Sequence, residues 1–98
     1  MINTSLFVMA TITPKSQYFE QVKAELLSIL EPTRAEPGCL RFDLHESECQ
    51  TALYLYEEWT DKHDLDAHHQ QAYTRQAASK LIDWLAAPTQ VSLMHKVD

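Results

Sequence analysis

The side chains able to do chemistry gather late in the chain: Glu57 and Trp59 two apart, then His63, Asp64, Asp66, His68 and His69, then Tyr73. A histidine titrates near neutral pH and can take a proton from a phenol, an enediol or an activated carbon, so His68 is a candidate general base. The alternative is a polar residue on a helix surface, paired with Asp64 one turn earlier. Glu57 alternates with Leu53 and Leu55, which puts a carboxylate on a covered face, where it is paired or functional. Arg41, on the neighbouring strand, is a candidate partner for it, unless its parity against Leu40 and Phe42 directs it to the opposite face. Trp59, at a strand end, reads either as the wall on which a flat substrate stacks or as a cover for the end of the core. The histidine and aspartate run also suggests a metal. His63 and His68, however, stand five apart, about 140° around a helix, and do not converge, so no metal is expected.

The rest of the composition narrows the chemistry. The 98 residues contain one glycine, Gly38, whereas dinucleotide and phosphate loops need several at fixed spacing. The nucleophile elbow fails on the same ground, and the zinc signatures CxxC and HExxH are absent. A net charge of −6, with eight scattered lysines and arginines, argues against nucleic acid and anionic membrane as partners. Leu6 to Ile12 is too short to span a bilayer and has no basic residues before it, so the chain is expected in the cytoplasm. In that compartment Cys39 and Cys49 are reduced thiols. The length suits one domain, residues 1–98, with one modest core.

The elements that position these side chains follow from periodicity. Ser5 to Thr13 is a strand with Leu6, Val8, Ala10 and Ile12 on one face, Phe7 and Met9 on the other. Thr13 followed by Pro14 predicts a helix start. Phe19, Val22, Leu26, Ile29 and Leu30 recur at helical spacing as far as Pro32, with a kink and continuation to Arg34. Pro37 and Gly38 form a turn into the alternating strand Cys39 to Glu46, a polar hairpin loop covers Ser47 to Thr51, and Ala52 to Trp59 is the third strand. Thr60 or Asp61 caps a short helix, and a bend near Gln70 to Ala72 leads into a second, with Tyr73, Ala77, Leu81, Trp84 and Leu85 on one face. Thr89 to Val97 closes the chain as a strand.

This βαββ(αα)β order predicts an α+β, ferredoxin-like fold: a four-stranded antiparallel sheet with helices on one face. The uncovered face carries Phe7, Met9, Tyr54, Tyr56 and Met94, poor residues to leave in water. A homodimer through this open sheet face is the expected partner arrangement.

The runs EPGCLRFDLHE, LYLYEEW and TDKHDLDAHH resemble the antibiotic biosynthesis monooxygenase (ABM) family, which shares E-P-G-C before the second strand, Y-E-x-W closing the third, and A-H nine residues after the tryptophan. The resemblance implies a dimeric α+β barrel, with Trp59, Glu57 and His68 at the family's tryptophan, glutamate and histidine. The chain departs where polyketide-type oxygenases have an asparagine, here Leu55, and where a second histidine often follows, here Tyr73. The asparagine, tryptophan and histidine set of the haem-degrading branch is not matched.

Three readings follow from the residues and the resemblance. In the first, a cofactor-independent monooxygenase oxidises a quinol or polyphenol in a pocket between sheet and helices: His68, assisted by Glu57, removes a proton, and Trp59, Tyr73 and Arg41 bind substrate. In the second, the same base isomerises a phosphorylated hydroxyketone without oxygen, as the quorum-signal-processing branch implies, with Arg41, Arg75 and Lys80 the cations available for phosphate. In the third, the dimer binds a small ligand without turnover.

Overall fold

A computed structural model describes residues 4–98, so the first three residues of the expected domain lie outside the described part. In chain order it has β1 (Leu6–Ile12), a 3₁₀ turn (Ser16–Tyr18), α1 (Phe19–Ser28), α2 (Leu30–Arg34), β2 (Cys39–Glu46), β3 (Leu53–Trp59), α3 (Lys62–Gln70), α4 (Ala72–Leu81) and β4 (Gln90–Met94). The four strands form one antiparallel sheet in the order β2-β3-β1-β4, the expected ferredoxin-like arrangement.

β1 and β3 are the central strands, and each alternates buried with half-buried residues along its whole length. Strand parity turns Leu6, Val8, Ala10 and Ile12, with Leu53, Leu55, Glu57 and Trp59, toward the helices. There they meet Phe19, Val22 and Leu26 of α1, Leu65 of α3, and Ala77 and Leu81 of α4, forming one apolar core.

Several local expectations are corrected. Thr13 and Pro14 do not start a helix: the Thr13 carbonyl accepts the Ala86 N–H at 2.8 Å, Pro14 bridges to Leu85, and Lys15 N–H donates to Trp84 O. The segment after α4 thus runs as a strap beside β1, and Trp84 and Leu85 lie beyond the helix. The first helical region breaks at Ile29, because Pro32 has no N–H to give the carbonyl four residues back. Leu40 is exposed rather than sharing a face with Phe42, since the β2–β3 register shifts by a bulge between Cys39 and Arg41. β4 ends at Met94, short of Val97, and its inward residues Val91 and Leu93 are at least half exposed. Cys39 and Cys49, free thiols, lie at β2's first residue and in the loop beyond its last.

Candidate functional site

Between the sheet and the helices lies a cavity of about 480 Å³, open toward β4. Its walls are mainly aliphatic, from Val8, Ala10 and Leu55 on the sheet to Leu26, Leu65 and Ala77 on the helices. Glu57, His68 and His69 supply ionisable groups to it, while Lys62 and Asp66, which also line it, are ion-paired at 3.1 Å.

Glu57 reaches the cavity by strand parity, in a place that suits a leucine, and it is 5% exposed. Its Oε1 accepts the indole N–H of Trp59 at 2.9 Å. Burial penalises the carboxylate and pushes Glu57 up to about 7, with the indole donor pulling the other way.

His68 is placed by α3, whose N-terminus is capped by Asp61 accepting the Asp64 N–H at 2.9 Å. Leu65 and His68, three apart, share the buried side of this helix. The imidazole is 4% exposed, and its ring centroid is 4.9 Å from the Trp59 ring and 5.5 Å from Phe42. The surface alternative for His68 therefore does not hold. Asp64 is not its partner: that carboxylate accepts the Thr60 hydroxyl, while His68 Nδ1 contacts Glu36 Oε2 at 2.8 Å. The Tyr73 hydroxyl donates to the same Glu36 oxygen. Desolvation, with the Glu36 carboxylate beside it, pushes the Tyr73 phenol up to about 12, so it keeps its proton and remains a donor.

Glu36 was not singled out by sequence reasoning, although it opens the E-P-G-C run. It is brought to His68 by the turn that follows. A Cβ on Gly38 would lie 2.3 Å from Asp64 Cγ, so only glycine lets this turn sit against the start of α3, where Gly38 O accepts the Thr60 N–H.

The other expected substrate contacts are placed elsewhere. Trp59 is fully buried behind the cavity, where it supports His68 by its ring and Glu57 by its N–H. Tyr73 likewise stands behind His68, with its hydroxyl engaged by Glu36. Arg41 is not Glu57's partner, because its register against Glu58 turns it to the outward face, where it pairs with Asp43 at 3.3 Å and lies over Tyr56. Of the other cations considered for a phosphate, Lys80 is ion-paired with Glu25 and Arg75 is exposed on α4 away from the cavity. Among the described residues, no group of three or more His, Cys, Asp or Glu is arranged to hold a metal ion.

Residues 5–80 match the family described as antibiotic biosynthesis monooxygenase. An uncharacterised protein of Synechocystis is 30% identical over 89 residues, which are 90% of this chain; the chain spans 60% of that relative's length. Rv0793 of Mycobacterium tuberculosis, whose name proposes a monooxygenase, is 29% identical over 91 residues, covering 93% of this chain and 90% of the relative. The solved structure of Rv0793 superposes with a TM-score of 0.92 over 97% of both chains at 27% identity. PA3566 of Pseudomonas aeruginosa gives 0.92 over 100% and 99% at 26% identity.

Proposed function

The chain belongs to the antibiotic biosynthesis monooxygenase family, and from that premise we propose that it is a cofactor-independent monooxygenase oxidising a small, uncharged, electron-rich aromatic such as a quinol or polyphenol. The observation that carries this reading is that Glu57 and His68 line one mainly aliphatic cavity, whose one lysine or arginine among the described residues, Lys62, is engaged by Asp66. Such a lining suits a ring with hydroxyl groups and disfavours a phosphorylated ketose, so the isomerase reading has less support.

In the proposed reaction His68 takes the proton of a ring hydroxyl, and the resulting phenolate raises the electron density at an adjacent ring carbon. That carbon bonds to O₂, and the reduced oxygen is protonated to a hydroperoxide. Glu57, protonated in a good fraction of molecules at and below pH about 7, is the proposed proton donor. Loss of the carbon's own proton with departure of water leaves a new carbonyl. For a quinol, one O₂ yields a hydroxyquinone and one water, and the ring supplies all four electrons.

The proposed enzyme is a cytoplasmic homodimer with residues 1–98 as its domain. Its outward sheet face supports the dimer: Phe7, Met9, Tyr54, Tyr56 and Met94 are only half-buried there, with Phe7 and Tyr56 stacked at 6.1 Å. No helix among the described residues is long and apolar enough to cross a membrane.

The test is oxygen uptake by protein freed of flavin and metal and offered quinols and anthrone-like phenols, with ¹⁸O₂ to follow the inserted atom. Uptake with one labelled oxygen in the product is expected. No uptake across the panel, with a bound phenol recovered unchanged, would leave a binding protein instead.

A further inference from the structure

We infer that Glu36 is a positioning residue of this site: its carboxylate fixes the proton of His68 on Nδ1 and leaves Nε2 as the atom that accepts the substrate's proton. The inference rests on the reading of His68 as the base, although the tautomer itself can be tested without any substrate.

Two contacts converge on one oxygen, Glu36 Oε2: His68 Nδ1 at 2.8 Å and the Tyr73 hydroxyl. An ionised carboxylate has no hydrogen to give, so Glu36 Oε2 can only accept, and it accepts from both neighbours. Tyr73 donates through its hydroxyl, so the Nδ1 contact is an N–H donated by the imidazole. A neutral ring protonated at Nδ1 has its lone pair at Nε2, and no protein hydrogen bond is made to Nε2 among the described residues.

The contact is also a tertiary restraint. Glu36 lies 32 residues before His68, and its own backbone is held by Glu36 N–H to Thr33 O and by Cys39 N–H to Glu36 O, each at 3.0 Å. Trp59 and Phe42 pack against the imidazole, so a ring flip has to break the Glu36 bond inside a filled space. Holding the ring in this way is the role an orienting carboxylate plays toward a catalytic histidine in other folds.

The experiment is a long-range ¹H–¹⁵N correlation of the imidazole rings in uniformly ¹⁵N-labelled protein at mildly alkaline pH, with His68 assigned by its loss in His68→Gln. Wild type is expected to show Nδ1 protonated and Nε2 bare. Glu36→Ala, which removes the acceptor, is expected to move the population toward the Nε2–H form, while Tyr73→Phe keeps the Nδ1–H form because Glu36 remains. A wild-type ring protonated at Nε2, or at both nitrogens, overturns the proposal even if no variant folds. So does a Glu36→Ala protein whose tautomer is unchanged. With a substrate in hand, Glu36→Ala should lower kcat, by up to about 10⁴-fold, the loss when a carboxylate no longer holds a catalytic histidine in its working tautomer. The expected tautomer without oxygen uptake leaves Glu36's role standing and removes the monooxygenase reading; uptake with the opposite tautomer does the reverse.

Discussion

Trp59 and Glu57 lie two residues apart on the covered face of β3, and the indole N–H of the first donates to the carboxyl of the second at 2.9 Å. A carboxyl in this place has lost most of its water, and the hydrogen bond compensates only in part, which is why its titration lies near 7 instead of in the ordinary carboxylate range. The same indole lies against the His68 ring, so one fully buried tryptophan supports both Glu57 and His68.

Glu57 should make stability fall as pH rises. Its folded-state value is raised from 4.5 to about 7, so the folded chain binds the extra proton between those values. The stabilisation is fully present below about 4.5 and is lost as pH rises through about 7. A displacement of that size corresponds to at most on the order of 3 kcal/mol. Glu57→Gln, which cannot ionise, is expected to flatten this part of the profile and to be the more stable protein above neutral pH. Chemical denaturation at a series of pH values checks it; parallel profiles for the two proteins would contradict the raised value.

Replacing Trp59 by phenylalanine removes the indole N–H while keeping an aromatic ring in the core. The donor is the influence that holds Glu57 down, so its loss should push the carboxyl further up. The midpoint of the pH-dependent stability change should move to higher pH, with an overall cost of roughly 1–3 kcal/mol from the lost hydrogen bond and the smaller ring. A midpoint that stays where it was would mean that the indole does not interact with the carboxyl in solution.

The fold was legible because the strands state it in period two. Leu6, Val8, Ala10 and Ile12 against Phe7 and Met9 gave β1 its two faces, and the same parity put Glu57 inside. Tertiary relations were less legible. For His68 the sequence leaves a surface reading beside that of a base, because Asp64, one turn earlier, is a sufficient local partner, while its real partner lies 32 residues upstream. Arg41's outward direction was legible in its parity against Phe42, but Leu40 depended on a bulge at the start of β2, and alternation alone does not reveal an inserted residue. For Trp59 and Tyr73 residue type alone suits either substrate stacking or core cover, and only the tertiary structure shows Trp59 fully buried on Glu57 and the Tyr73 hydroxyl engaged by Glu36.

Gly38→Ala should test how the turn before β2 positions the site. A methyl group there meets Asp64 side-chain atoms at 2.3–2.4 Å, so either the turn or the start of α3 has to move. Overpacking of this kind typically costs 1–3 kcal/mol. Because Glu36 and His68 lie on the two segments being pushed apart, the His68 ring resonances should shift together with the loss of stability. A variant as stable as wild type, with unshifted His68 signals, would show that the contact is easily relieved.

On the outward face, Tyr56→Lys puts a charge among Phe7, Met9 and Met94 and near Arg41, the guanidinium already over the Tyr56 ring. If a second copy covers this face, burying a second cation beside Arg41, with one Asp43 carboxylate across the strand for both, should dissociate or aggregate the protein. Sedimentation velocity reads the outcome, and a wild-type chain that stays monomeric at high micromolar concentration rules out the interface.

His68 is the residue on which the proposed chemistry depends, and its burial changes how it has to be tested. Its ring fills space between Trp59 and Phe42, so His68→Ala should lose stability as well as activity, and loss of activity alone would prove little. His68→Gln is the sharper variant. Its amide can still donate to Glu36, so the support behind the cavity is largely kept, but it cannot accept a proton at neutral pH. Its melting temperature should stay closer to wild type than that of His68→Ala, while oxygen uptake falls by roughly 10²–10⁴-fold, the usual contribution of a general base. Imidazole added to His68→Ala should then restore part of the lost rate, because the vacated space adjoins the cavity and the missing function is a proton acceptor. If His68→Gln turns over at nearly the wild-type rate, the histidine is a structural element beneath the site and the base has to be sought at Glu57.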